Sequence, residues 1–150
     1  MTHTTRITVR SDDIDANGHV RDSKYLDYAV HARWVTLAHA GLDAGKLVAA
    51  GLGPVNLEVS ITYAREVVLG DEIAVETRFE YPSPKLVKVV QTLTRRDGIV
   101  AAQVVSVTGL MDLRRRKLVD DAAGRYGEFL SDLTVVDLVP FTGSAPRTDR

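Results

Sequence analysis

The sequence predicts an α+β fold, a curved antiparallel sheet wrapped around one long central helix. Three observations point there. Residues 22–41 carry apolar side chains at helical spacing, around most of the circumference of the element they would form. From residue 55 the apolar period changes to two and holds through four long runs. Glycine-bearing turns separate several of these runs, as short connections between antiparallel strands require. A helix apolar on so many sides needs cover, and one sheet can supply it by curving.

Residues 4–10 alternate, with Ile7 and Val9 between Thr and Arg, and read as a short half-buried strand. A polar loop follows at 11–20, with three aspartates and an Asn17-Gly18 turn. The helix of residues 22–41 can be capped by Asp22 or Ser23, and Gly41 suits the position just past its end. Leu26, Val30, Trp34 and Leu37 form its apolar stripe, widened by Tyr25, Tyr28, Ala29, Ala32 and Val35. A second short helix is expected at about 43–50. Residues 55–64 and 73–81 alternate as strands on either side of the Gly70-Asp71 turn, and Pro82 and Pro84 should break the second. Residues 86–96 and 99–113 form a hairpin about Asp97-Gly98. The four long strands are expected as an antiparallel meander. A short helix and a frayed tail at 144–150 complete one domain, with its core at about 4–120 and the tail from about 125.

Composition narrows the function. The 150 residues carry a formal net charge of −1, which argues against bulk nucleic-acid binding. With no cysteine, disulfides, thiolate metal sites and a Cys nucleophile are excluded. Residues 1–10 lack a signal-like apolar stretch, and no run is long enough to span a bilayer, so a cytoplasmic protein without a membrane partner is expected. His31 and His39 stand eight apart without an acidic partner set, and no metal site is expected.

The chemistry concentrates in Asp12-Asp13-Ile14-Asp15-Ala16-Asn17-Gly18-His19-Val20, leading to Tyr25. This stretch resembles the signature of the 4-hydroxybenzoyl-CoA thioesterase-like hotdog family. The match is an aspartate pair (Asp13, Asp15), then Gly18-His19-Val20, then Tyr25 as the helix begins. The resemblance implies an acyl-CoA thioesterase with Asp15 as nucleophile or general base, and with the backbone N–H of Asp22 polarising the thioester carbonyl. A helix start has open N–H donors and a positive dipole end, suited to a developing oxyanion. His19 would orient Asp15 or the substrate, and Asn17, Gly18 and Tyr25 would contact the substrate. Here Arg21-Asp22 stands where many relatives carry asparagines, and an inward acidic side chain at 22 would oppose the oxyanion. No cofactor is implied, because CoA is part of the substrate. A homodimer or homotetramer is implied by the open sheet edges.

The hairpin about Asp97-Gly98 should carry Lys85 toward the strand end that runs into Arg114, Arg115 and Arg116. With Lys88 and Lys117 these would form a local basic cluster for the CoA phosphates. Two other readings compete. An enoyl-CoA hydratase or dehydratase of the same fold would place His five positions after Asp with an intervening Pro, whereas His19 is four after Asp15 and no Pro intervenes. A non-catalytic acyl-CoA-binding protein would have no use for a reactive Asp15.

Overall fold

The computed structural model describes residues 2–138. Its elements are β1 (His3–Thr8), a 3-10 turn at Ser11–Asp13, α1 (Asp22–His39), α2 (Ala44–Ala49), β2 (Leu52–Tyr63), β3 (Glu72–Ser83), β4 (Leu86–Thr94), β5 (Val100–Asp112), β6 (Lys117–Leu118), α3 (Ala122–Gly127) and a 3-10 turn at Leu133–Val136. All the strand pairings are antiparallel, in the order β1-β3-β4-β5-β2, with β6 added to β5. The curved sheet around one long helix is therefore present. The frayed tail expected at 144–150 lies outside the described residues.

The meander expectation is corrected. Only β3, β4 and β5 follow one another across the sheet, and β2 crosses to pair with β5 at the far edge. The physical reason lies in residues 64–71, which do not form a hairpin. Ala64 and Arg65 both donate backbone hydrogen bonds to the Ala101 carbonyl, Val20 N–H donates to the Val67 carbonyl, and Val68 bridges His19. The segment is thus stitched across the start of β5 and onto the aspartate loop before the chain turns into β3. Pro82 does not end β3 either; the strand runs to Ser83, with an irregularity between Glu80 and Ser83 that accommodates it.

The helix turns a different face to the sheet than its long aliphatic residues suggest. Its buried side is Tyr25, Tyr28, Ala29, Ala32, Arg33, Thr36 and Leu37. Leu26 and Val30 are only half-buried, and Trp34 is 41% exposed. Small residues at 29 and 32 let the helix axis approach the strands closely, so packing distance rather than side-chain length selects the face. Gln91, fully buried on β4, fixes that approach by donating to the Ala29 carbonyl at 2.7 Å and to Thr77 Oγ1 at 3.1 Å. Two apolar clusters share the interior. One lies around Tyr25, Ile73, Leu93 and Val104, and the other around Leu37, Phe79, Leu110 and Tyr126, where α3 and the last turn close over the sheet.

β2 is different from the other long strands. Most of its residues are exposed, including Leu57, Val59 and Tyr63, and among the described residues only one of its edges is paired.

Candidate active site

The loop between β1 and α1 is organised by two aspartates. Asp13 is buried, and its Oδ2 accepts from Arg10 N–H at 3.1 Å and from the Tyr28 hydroxyl at 2.5 Å, while Lys24 Nζ lies 3.5 Å from Oδ1. Burial works against the charged carboxylate, but the Tyr28, Arg10 and Lys24 contacts outweigh it and hold the group below the usual carboxylate value. The Tyr28 hydroxyl is pushed well up by burial and by the neighbouring Asp13. Asp13 is thus the anchor that pins the loop to the helix.

Asp15 is placed otherwise. Its Oδ1 accepts from the backbone N–H of Asn17 at 2.8 Å and of His19 at 3.2 Å, a turn closed by the carboxylate itself. The Asp15 N–H donates to the His19 carbonyl at 2.8 Å, and Ile14 bridges Val20, so the loop is a tight knuckle with Gly18 at φ +77°. Oδ2 has no hydrogen bond among the described residues. One oxygen fixes the carboxylate and the other is presented.

The helix start lies beside it. Arg21, not Asp22 or Ser23, is the N-cap residue, and no side chain caps it. This corrects the capping expectation. The Asp22 side chain accepts only from the adjacent Ser23 N–H at 2.8 Å, a bond local to its own turn. Lys24 N–H donates to the Arg21 carbonyl at 3.0 Å, so of the first three helix N–H groups the Asp22 N–H alone has no acceptor among the described residues. It is the donor left for a negative oxygen at the helix start. The Tyr63 hydroxyl donates to the Asp22 carbonyl at 3.0 Å, and its ring meets Tyr25 edge-on with centroids 5.1 Å apart. Asp15, His19, Arg21, Asp22, Tyr25, Tyr63, Arg65 and Glu66 line one open cleft of about 550 Å³.

Of the residues expected at the site, Asp15, His19, Asp22 and Tyr25 come together in this cleft. Asn17 and Gly18 form the exposed tip of the loop, outside the cleft lining. The His19 ring is exposed and makes no hydrogen bond among the described residues; only its backbone reaches Asp15. The basic cluster forms in part and far away. Lys85, Arg115 and Lys117 share a second depression with Asp112 and Asp120. Lys88 on β4 pairs with Glu80 opposite it on β3, the Arg114 side chain packs beside Gly51, and Arg116 occupies the left-handed turn at φ +58°. From Ala102, opposite Tyr63, to Asp112, β5 runs ten residues, about 33 Å. Within one chain the cleft and the basic cluster occupy opposite ends of the sheet.

Tyr63, Arg65 and Arg21 were not among the expected residues. They reach the cleft through the β2 crossover and the helix cap, which no local pattern records.

The sequence pattern of the thioesterase-like superfamily matches residues 9–132. Long-chain acyl-CoA thioesterase FadM of Escherichia coli strain K12 is 27% identical over 115 residues, 75% of this chain and 86% of that protein. The L-carnitine dehydrogenase/betainyl-CoA thioesterase of Agrobacterium fabrum is 33% identical over 89 residues, 59% of this chain but 18% of its own length. Among solved structures, that of YbaW Probable Thioesterase from Escherichia coli is 26% identical, with a TM-score of 0.73 over 83% of this chain and 93% of that one.

Proposed function

The chain belongs to the thioesterase-like superfamily and has its hotdog fold, and from that premise we propose that it hydrolyses acyl-CoA thioesters in the cleft between Asp15 and the start of α1. The observation that carries this reading is the pairing of a fixed carboxylate, with one oxygen unbonded, and an uncapped helix start in one cleft. The thioester carbonyl accepts a hydrogen bond from the Asp22 N–H, which draws charge onto that oxygen as the carbonyl carbon becomes tetrahedral. Asp15 Oδ2 either attacks that carbon or takes a proton from the water that does. The C–S bond then breaks and the thiolate of CoA receives a proton. On the first route this leaves a mixed anhydride on Asp15, which water cleaves to the free acid and the regenerated carboxylate; on the second the water's oxygen is already in the free acid. The Asp22 carboxylate stays with Ser23 N–H rather than at the carbonyl. A hydratase would need His19 and Asp15 as a side-chain acid–base pair; the His19 ring makes no hydrogen bond to Asp15.

The sheet supports pairing of two copies. Among the described residues β2 presents a twelve-residue unpaired edge, with exposed Leu57, Val59 and Tyr63 beside it. A two-fold pairing of β2 edges is antiparallel, so the Leu52 end of one copy meets the Tyr63 end of the other. That brings Lys85, Arg115 and Lys117 of a second copy toward the cleft and gives the basic cluster a role in holding CoA phosphates. Arg21 and Arg65 supply positive charge from the cleft's own chain. We infer a homodimer, or a tetramer of such dimers, acting in the cytoplasm; no described helix is long and apolar enough to cross a membrane.

The test is release of free CoA from a panel of acyl-CoA esters by wild type, Asp12→Asn and Asp15→Asn, with circular dichroism on each. Turnover by wild type and Asp12→Asn, lost in a folded Asp15→Asn, is expected. Hydration of an enoyl-CoA without thioester cleavage overturns the reading.

A further inference from the structure

The stripe Leu26, Val30, Trp34 and Leu37 is only partly used by the core, with Leu37 buried in one apolar cluster and Leu26 packed against the other. It starts one turn from the catalytic cleft, and its middle members are left half-buried or exposed. β2 runs alongside, with Tyr63 bonded to the Asp22 carbonyl at one end and Asn56 bonded to Arg33 at the other. By strand alternation Val59 and Ile61 share the Tyr63 face, so an apolar seam leads from the cleft along α1. From Asp22 to Arg33 the helix advances about 16 Å.

At the far end of the seam lies a partly enclosed, mainly apolar cavity of about 40 Å³ between Arg33, Trp34, Phe79, Tyr81 and Tyr126. Arg33 is 9% exposed. Its guanidinium donates to Asn56 Oδ1 at 3.0 Å and to Ser106 Oγ at 2.9 Å, both neutral oxygens, and its buried Nε has no partner among the described residues. Among the described residues no carboxylate forms an ion pair with it. Tyr126, 8% exposed, lines the same cavity, and its hydroxyl makes no hydrogen bond among the described residues. Burial pushes that hydroxyl up to about 12, with the Arg33 charge opposing. A guanidinium buried without a counterion is destabilising, and a neutral amide or hydroxyl could tie α1 to Asn56 and Ser106 without that penalty. The arrangement lacks one component, an anionic oxygen. The space admits a group of a few heavy atoms, such as a carboxylate, and not a ring or a folded chain.

Resting on the thioesterase reading, we propose that Arg33 and Tyr126 select acyl groups that end in a carboxylate, the chain lying in the α1–β2 seam with its thioester at Asp15. The span of about 16 Å corresponds to roughly twelve carbons of extended chain. The carboxylate would accept from the free Arg33 Nε and from the Tyr126 hydroxyl, supplying the missing charge.

The experiment uses CoA esters of matched length, from eight to sixteen carbons, ending either in a methyl or in a carboxylate. The readout is the ratio of kcat/KM for the two ends. Wild type is expected to favour the carboxylate end by about tenfold or more at the best length. Arg33→Met, which keeps the length and loses the charge, should invert the ratio, and Tyr126→Phe should lower it several-fold. A wild-type ratio at or below one at every length overturns the proposal, as does a ratio preserved in both variants. Should Arg33→Met fail to fold, the wild-type ratio and Tyr126→Phe still decide. Calorimetric binding of both esters to Asp15→Asn separates the two levels of the argument. If wild type cleaves neither ester but Asp15→Asn binds the carboxylate ester more tightly, hydrolysis falls and the pocket stands. If cleavage is fast and neither assay discriminates, the pocket falls alone.

Discussion

Asp13 and Asp15 stand two residues apart in one loop, and the fold uses them in opposite ways. Asp13 is buried and saturated, with Tyr28, Arg10 and Lys24 all directed at it. Asp15 is half-buried, spends one oxygen on its own turn and leaves the other open to the cleft. A carboxylate held by many donors is a poor nucleophile or base, because its charge is already engaged; one held on a single side is oriented and still available. The anchor makes the reactive group possible by fixing the loop it sits on.

The contrast can be broken most forcefully at Asp15. Asp15→Asn should lower turnover by about 10² or more, the scale expected for loss of a general base, while its melting temperature stays within a degree or two of wild type. Steady-state CoA release and thermal denaturation read the two quantities, and a large loss of stability with retained turnover would reverse the assignment of roles. Asp13→Ala should behave in the converse way. It leaves the Tyr28 hydroxyl and the Arg10 N–H without their acceptor, at about 2–3 kcal/mol in denaturant unfolding. Tyr28→Phe removes one of those bonds and should cost about 1 kcal/mol, with activity following stability rather than leading it.

Acid sharpens the comparison further. The Asp13 carboxyl is held below its unfolded value near 3.8, so the stability it confers is full above that pH. It should be lost as pH falls through the lower folded-state value. In Asp13→Asn this part of the acid limb should disappear, and urea midpoints between pH 2 and 5 would show it. The smallest effect is expected at the nucleotide. Charge reversal at Lys85 with Arg115 should raise KM a few-fold and leave kcat nearly constant, and added salt should mimic it. The same result from Arg21 with Arg65 and none from Lys85 with Arg115 would place the phosphates on the cleft's own chain.

Local chemistry was readable in the sequence and distant neighbours were not. Asp97-Gly98 announces its hairpin because the turn and both strands are contiguous, and Gly98 does adopt φ +84°. Gly70-Asp71 looks the same on paper, yet the chain before it is drawn across β5 to the aspartate loop, and β2 goes to the opposite edge. Alternation records which face a residue takes and is silent on which strand lies beside it. The helix teaches a similar lesson. Apolar spacing named Leu26, Val30 and Trp34, whereas close approach to the sheet favours Ala29 and Ala32. The aspartate knuckle was legible because its residues lie within one short motif. Tyr63 and Arg33 were not, since each acquires its role from a partner tens of residues away.

Gln91 carries one more consequence. Its side chain holds a single carbonyl in the middle of α1, deep between helix and sheet. A smooth alanine face would slide, because an alanine surface offers the strands little to distinguish one helical turn from the next. The amide acts as a latch with one catch. Gln91→Leu should therefore leave the unfolding midpoint close to that of wild type and instead blur the protein, with broadened methyl resonances from helices docked in more than one register. Since Asp22 and Arg33 ride on that helix, the register of both against β2 is set by a residue that hydrogen-bonds neither of them.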